Sequence, residues 1–317
     1  MQEQFQKKKL LALEKINISK SLLFDLKKYF IIKENNKKNL QNLKDVNAIY
    51  TKFNYLINDK FIKKTPSLKY IISNVTGLDR VDEKFSKKKG IKIFSLKGEE
   101  KFLKNITSTA EFTFALIFAL LRKIPHAHNS MLNKKSNRYD YLGQNLYKKT
   151  LGIIGFGRNG KLISRYGKAF GMDVLSTDKK KMKGNISFKK VLAHSDIISI
   201  NVDLNKSTKN LINKQTLKII KKNCFIINTS RAEIINQKDL ILILKKNKIG
   251  GFASDFLEQK NLKYTNSSKK IINLAKIKKN IILTPHIGGA TKESLTKTEE
   301  FVFKKLISYE KKIIHKR

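Results

Sequence analysis

The sequence is poor in the residues that define several classes of protein. Its 317 residues include one cysteine, Cys224, so no disulfide can form within the chain. Cys224 lies in an apolar run, and we expect a buried, unreactive thiol. The longest apolar run, residues 112–121, is far shorter than the roughly 20 residues of a membrane span. The lysine-rich start lacks the apolar core of a secretory signal, so we expect a cytoplasmic protein without a membrane segment.

Acidic residues are also scarce, with 25 against 68 basic residues and a formal net charge of +43. A nucleic-acid interface would enrich arginine and cluster the charge, whereas only 7 basic residues are arginine and the lysines are scattered. With 3 prolines and no tryptophan, the composition is typical of AT-rich codon usage. We therefore expect no specific nucleic-acid partner, although the surface should attract small anions at low salt.

Metal-ligand clusters are missing from the pattern as well. His126 and His128 are spaced as a possible pair, yet no cysteine or acidic cluster accompanies them. A structural or catalytic zinc site needs three or four ligands. We predict that the chain holds no metal.

Short apolar runs alternate with lysine-rich amphipathic stretches along the chain, and the length predicts about two domains. This alternation predicts parallel strands covered by helices, in two successive α/β domains. A long helix is expected over 107–124 and another over 291–311, which returns to the first domain. The strand candidates are 10–16, 48–53, 70–75 and 91–94, then 151–155, 172–177, 196–202, 224–228, 251–256 and 280–283.

Three glycines spaced as GxGxxG, Gly155, Gly157 and Gly160, follow the strand candidate 151–155 and precede a helical stretch. Such a loop allows a tight turn, close approach of a pyrophosphate and close packing of the helix. Asp178 ends the next strand candidate 18 residues after Gly160, where a carboxylate can bind the ribose. This arrangement predicts a dinucleotide site and favours NAD over NADP. The lysines at 179–181 could serve a 2'-phosphate, which keeps NADP as the alternative.

Three chemically useful side chains follow later strand candidates. Arg231 comes after 224–228, Asp255 within the end of 251–256, and His286 after 280–283. Ligands of open α/β sheets bind at the carboxyl ends of the strands, so these residues could converge on one cleft. Hydride transfer to a 2-keto acid needs a cation to hold the carboxylate and polarise the carbonyl, and an imidazolium to protonate the developing alkoxide.

Together these motifs resemble the D-isomer-specific 2-hydroxyacid dehydrogenases. The motifs that carry the likeness are Gly155 to Gly160 with Asp178, Ser199-Ile200-Asn201-Val202, Ile227-Asn228-Thr229-Ser230-Arg231 and Thr284-Pro285-His286-Ile287-Gly288-Gly289. The resemblance implies a central Rossmann NAD domain, 104–290, inserted in a discontinuous, flavodoxin-like substrate (catalytic) domain, 1–103 and 291–317. It implies a homodimer and a small 2-keto or 2-hydroxy acid as substrate.

The same resemblance implies roles for individual residues. Arg231 would anchor the substrate and His286 would be the acid/base. Amides around Val75, Thr76 and Gly77 would bind the substrate carboxylate. The cofactor site would be formed by Gly155, Gly157, Arg158, Asn159, Gly160, Asp178, Thr229, Asp255 and Gly288.

The sequence departs from the family pattern at two positions. Lys260 stands where the family has the glutamate that pairs with the histidine, and a nearby ammonium would lower the pKa of His286. Glu258 could replace the glutamate, or Lys260 could face solvent. The substitution keeps open an alternative function, a catalytically weak or inactive sensor of NAD(H). Asp203 stands where proline is usual, which should alter a loop only.

Overall fold

The computed structural model describes residues 6–35, 40–134, 137–180, 184–260 and 263–315. The chain divides into two compact units. The first unit combines Met1–Leu103 with Thr291–Arg317, and the second is Lys104–Ala290. Within the described ranges, no helix combines the length and the apolar character needed to cross a bilayer.

The first unit is built on a parallel five-stranded sheet. Its strands are β1 (Lys8–Ala12), β2 (Phe30–Glu34), β3 (Ala48–Tyr50), β4 (Tyr70–Ile72) and β5 (Lys92–Phe94). Their order in the sheet is β2-β1-β3-β4-β5, which is the flavodoxin-like arrangement. The helices of this unit are α1 (Lys20–Tyr29), α2 (Asp59–Lys63), α3 (Glu83–Lys88), α4 (Glu100–Leu103) and α12 (Lys292–Ile314).

The long C-terminal helix α12 belongs to this first unit because its apolar stripe covers one face of the sheet. Val302, Phe303 and Leu306 are fully buried, at the spacing that places them on one side of a helix. The Phe303 ring lies 5.1 Å from that of Tyr50 on β3. The helix begins where the Thr291 side chain accepts a hydrogen bond from Ser294 N.

The second unit is built on a parallel six-stranded sheet. Its strands are β6 (Thr150–Ile154), β7 (Asp173–Thr177), β8 (Ile197–Ile200), β9 (Phe225–Asn228), β10 (Gly251–Ser254) and β13 (Ile281–Leu283). A two-stranded ribbon, β11 (Gln259–Lys260) and β12 (Lys263–Tyr264), follows β10. The order of the large sheet is β13-β10-β9-β8-β6-β7, so the winding reverses between β6 and β8. Ligands of doubly wound sheets bind at this reversal.

Helices cover both faces of this sheet, as the alternating pattern predicts. They are α5 (Ser108–Leu121), α6 (Ile124–Leu132), α7 (Arg158–Ala169), α8 (Phe188–His194), α9 (Lys214–Leu217), α10 (Gln237–Lys245) and α11 (Asn266–Ile277), with 3-10 turns at Arg138–Tyr141 and Ala232–Ile234. Helix α5 packs its buried Phe114 and Ile117 with Leu151 and Ile153 of β6 on one face. Cys224 lies in the core on the opposite face at 1% exposure, and this burial raises the pKa of its thiol.

The architecture of two parallel α/β domains, with the Rossmann-type domain in the centre of the chain, is confirmed, but two element predictions are wrong. The pattern assigns no strand to 30–34, where β2 forms at the sheet edge, because its apolar residues directly continue the lysine-rich helix α1. It also extends one helix over 107–124. The observed helix ends at Leu121, Lys123 takes a left-handed φ of 54°, and Pro125 opens the new helix α6.

Candidate functional site

The glycine loop that follows β6 has the geometry of a phosphate cradle. Gly155 has a φ of +91°, and a Cβ there would lie 2.5 Å from the carbonyl oxygen of Asn201. A Cβ on Gly160 would overlap the carbonyl oxygen of Gly155. Gly157 is different, because a Cβ there would meet nothing within 4 Å. Packing therefore requires Gly155 and Gly160, whereas Gly157 leaves the backbone open to a ligand.

The residues around this loop add polar groups that suit a dinucleotide. Helix α7 begins at Arg158, directly after Gly157, so its N-terminal amides lie beside the open backbone. The buried Oδ1 atom of Asn159 has no hydrogen-bond partner among the described residues. The Asp178 carboxylate accepts a hydrogen bond from Phe156 N at 2.6 Å. Amides for a pyrophosphate and a carboxylate for a ribose thus lie together at the carboxyl ends of the neighbouring strands β6 and β7, and they fit NAD.

Arg158 makes a further contact that the spacing alone does not show. Its Nη1 atom donates a hydrogen bond to the carbonyl oxygen of Ile106, shortly before helix α5. Burial lowers the pKa of this guanidinium. The side chain therefore links the start of α7 to the segment that leads into α5.

Arg231 follows β9, Asp255 follows β10 and His286 follows β13. These three strands are neighbours in the sheet, with β10 in the middle. Because the strands are parallel, their carboxyl ends meet at one edge. Arg231 and His286 are half-buried, and Asp255 is 2% exposed. The edge thus combines a guanidinium, a buried carboxylate and an imidazole.

The Asp255 carboxylate is bonded to the loop that carries His286. Its Oδ1 atom accepts hydrogen bonds from Thr284 Oγ1 at 2.6 Å and from Ile287 N at 2.9 Å. Its Oδ2 atom accepts one from Gly288 N at 2.7 Å. His286 has a left-handed φ of 60°, a conformation that costs energy for a residue with a side chain. The carboxylate therefore holds this loop in a strained shape, a role that the sequence does not reveal.

Phe256 is a residue of this site that sequence reasoning missed. Its ring centroid lies 3.6 Å from that of the His286 imidazole and 4.8 Å from the Arg231 guanidinium carbon. One aromatic ring therefore contacts both of the side chains with catalytic potential. Only its position directly after Asp255 at a strand end could have indicated this.

The remaining predicted site residues occupy separate places. In the second unit, the Thr229 hydroxyl lies 2.9 Å from the Thr113 hydroxyl in a buried pair, and Gly288 contacts Asp255. In the first unit, Val75 follows β4 and is 8% exposed. Thr76 is exposed and Gly77 half-buried. The side chain of Asn74, just before them, donates to Thr298 on α12 and accepts from the Tyr50 hydroxyl, which fixes the start of this loop.

One departure from the family pattern lies on the two-stranded ribbon after β10, and the other lies in a turn after β8. Lys260 ends β11, and its side chain lies outside the described residues, as does Lys181. Glu258 is half-buried, and its carbonyl oxygen accepts from Ser268 Oγ at 2.8 Å, which ties the segment to α11. Asp203 is exposed in a turn closed by a bond from Thr208 Oγ1 to its carbonyl oxygen. The described part of the chain contains no group of three or more potential metal ligands.

Comparison with known proteins agrees with this geometry. The family model for the NAD binding domain of D-isomer specific 2-hydroxyacid dehydrogenases matches residues 114–288. The glyoxylate reductase of Thermococcus litoralis is 32% identical over 287 residues, which cover 86% of this chain and 83% of that protein. The D-3-phosphoglycerate dehydrogenase of Bacillus subtilis is 33% identical over 263 residues, 80% of this chain and 48% of that protein.

A solved structure confirms the fold over nearly the whole chain. The D-lactate dehydrogenase of Aquifex aeolicus, in complex with NAD and lactic acid, superposes with a TM-score of 0.82 at 27% identity. The match covers 97% of this chain and 96% of that one. The chain therefore belongs to the D-isomer specific 2-hydroxyacid dehydrogenase family and is an NAD-dependent enzyme of that family.

Proposed function

We propose that the protein interconverts a small 2-keto acid and its D-2-hydroxy acid, with Arg231 as substrate anchor and His286 as acid/base. The observation that carries this assignment is that the two side chains, which follow the strands on either side of β10, both contact the ring of Phe256. The names of relatives, among them glyoxylate reductase and glycerate dehydrogenase, support a substrate of two or three carbons.

The two side chains supply complementary chemistry. The Arg231 guanidinium binds the substrate carboxylate and polarises the keto oxygen through charge-assisted hydrogen bonds. The His286 imidazolium donates its proton to that oxygen as negative charge develops there. NAD(H), when bound, accepts or supplies the hydride. In the oxidation direction, the neutral imidazole of His286 removes the hydroxyl proton.

The two units divide the work in this proposal. Residues 104–290 form the NAD-binding domain, and residues 1–103 with 291–317 form the substrate domain. Backbone amides around Val75, Thr76 and Gly77 bind the substrate carboxylate. Support comes from the family model, which matches within the second unit, and from the place of the loop directly after β4.

The test is an NADH absorbance assay with glyoxylate, hydroxypyruvate, pyruvate and 3-phosphohydroxypyruvate. H286N and R231Q should each lose at least about a hundredfold in kcat/KM while NADH affinity stays unchanged. H194N and R165Q replace the same residue types at exposed positions and serve as matched controls. Turnover of none of the four acids by a wild type that binds NADH would refute the proposal.

The alternative is a protein of the same fold that binds NAD(H) with little or no turnover. Lys260, at the position of the family's glutamate, is the observation that favours it. K260E separates the two functions. If the lysine makes His286 a weaker proton donor, the variant should reduce keto acids faster than the wild type. It should also stay active up to a higher pH, because a carboxylate stabilises the imidazolium. An equally active wild type and variant would exclude the alternative.

We further propose that the enzyme is a cytoplasmic homodimer. Helix α6 has no buried residue. Large apolar side chains between positions 124 and 147 are exposed, namely Ile124, Met131, Leu132, Tyr139, Leu142 and Tyr147 at 52–71%. Such a concentration on one segment suits a self-complementary contact with a second copy. M131E/L132E should convert a dimer to a monomer in light scattering, whereas I277E, which changes an isolated exposed residue, should not.

A further inference from the structure

Phe256 occupies the central position among the three strand ends of the site. It follows β10, which lies between β9, the strand before Arg231, and β13, the strand before His286. Its ring reaches both flanks, with the His286 ring at 3.6 Å between centroids and the Arg231 guanidinium carbon at 4.8 Å. The two groups that must act on the same carbonyl therefore share one apolar support.

The backbone beneath this ring is itself fixed. Ser254 Oγ donates to the carbonyl oxygen of Phe256 at 2.7 Å and accepts from Phe256 N at 3.3 Å. Ser254 is the last residue of β10 and is 1% exposed. A buried hydroxyl thus anchors both polar groups of the Phe256 peptide to the strand end. The backbone that carries the ring is therefore held at the strand end.

The chemistry of the contact suits positioning. An aromatic face attracts a guanidinium or an imidazolium through the negative potential of its π electrons. Such a contact involves no hydrogen-bond donor of either group. A carboxylate in the same place would bind the donors. The ring can therefore restrain the planes of both groups at no expense to their reactivity.

We propose that Phe256 is a positioning residue for the reaction, a proposal that rests on the function assigned to Arg231 and His286. Its ring holds the guanidinium and the imidazole in the mutual orientation that one 2-keto acid carbonyl requires. A misplacement of about 1 Å at a reacting group can cost about a hundredfold in rate. Loss of the ring should therefore impair turnover and leave cofactor binding intact.

The experiment compares F256L, which keeps apolar volume without a ring, with F256Y, which keeps the ring. F24L, at a 67% exposed position on α1, is the control. We expect F256L to lower kcat/KM for the best keto acid by about ten- to a hundredfold, through kcat and keto-acid KM together, at unchanged NADH affinity. F256Y should stay within about threefold of the wild type. A F256L variant that folds and stays within about twofold would overturn the proposal, as would a F256Y variant that falls as far as F256L.

A second readout is independent of activity. The chain has 5 histidines, so their ring resonances can be resolved by NMR and His286 assigned through H286N. The ring current of the adjacent Phe256 should displace the His286 signal from those of exposed histidines, and F256L should abolish that displacement while F256Y preserves it. An unshifted His286 signal in the wild type would refute the contact itself. Inactivity of a wild type with the shifted signal would instead contradict the proposed function.

Discussion

Removal of the Asp255 carboxylate should destabilise the second unit and release the His286 loop. In D255A, the donors Thr284 Oγ1, Ile287 N and Gly288 N lose their acceptor at a position that is 2% exposed. A buried donor left without a partner costs about 1–3 kcal/mol. Relief of the buried charge and entry of water into the space offset part of this. We expect a net loss of about 3 kcal/mol in the free energy of unfolding.

The size of the second unit converts this loss into a measurable shift. A domain of comparable length shows a change in Tm of about 2–4 °C per kcal/mol, so D255A should lower the Tm of this unit by about 6–12 °C. D255N should lower it less, because its amide oxygen still accepts from two of the donors. Circular dichroism at several heating rates would measure both shifts.

D255A should lose more catalytic activity than its lower free energy of unfolding alone would explain. The hydrogen bonds of Asp255 flank His286 on both sides and hold its φ at 60°. Without them the backbone can relax to an ordinary conformation and carry the imidazole away. D173N, at an exposed position of β7, is the matched control. A D255A variant within about 1 °C of the wild-type Tm would show that the carboxylate does not support this loop.

Three further predictions use the same structure. G157A should keep the wild-type Tm but lose at least about tenfold in NADH affinity, whereas G160A should lower both the Tm and the NADH affinity. The reason is that, of the two, only a Cβ at position 160 overlaps backbone atoms. Calorimetry measures the Tm and the affinity, and equal behaviour of the two variants would refute the distinction. H286N should be inactive, yet its free energy of unfolding should equal that of the wild type or exceed it by up to about 1 kcal/mol, since asparagine tolerates a positive φ. A clear loss of stability in urea would contradict the backbone strain at position 286. Burial of Asp196 raises its pKa, but the hydrogen bond from Thr150 N and the Lys221 ammonium outweigh this and leave the pKa lowered. The stabilisation by Asp196 is therefore complete above its unfolded pKa of about 3.9 and lost as pH falls through the lower folded value. Urea unfolding from pH 6 to 2 should show that the free energy of unfolding falls less steeply with acid in D196N than in the wild type. Parallel pH dependences of the two proteins would refute this role of Asp196.

The sequence predicts the parts of this molecule that depend on local chemistry. The glycines at 155, 157 and 160 require a strand before the first and a helix that begins before the last, and both elements form there. Strand interiors such as 225–227 are apolar because helices cover both faces of the sheet. Arg231 and His286 could be placed at one edge because parallel strands end there together. Each of these inferences uses residues within a single element or loop, together with the general rule for parallel strands.

Contacts between distant residues were beyond that reasoning. Asp255 and Gly288 are 33 positions apart, and nothing in either motif shows that the carboxylate accepts from that amide. Edge strand β2 was missed for a related reason. Its assignment depends on pairing with β1 from Lys8↔Phe30 onward, whereas its own exposed Ile31 gives no alternating pattern. Tertiary pairing thus decided both cases against the local signal.

Asp255 and Phe256 show how one strand end can control a reactive group in two ways. The first of this pair accepts from the Thr284 hydroxyl before His286 and from two backbone amides after it, and the second contacts its ring. Backbone shape and side-chain plane are thus set by adjacent residues directly after the strand between the two reacting groups. Because this support comes from the end of β10, it does not require a carboxylate at position 260, and the proposed catalysis can persist with lysine there.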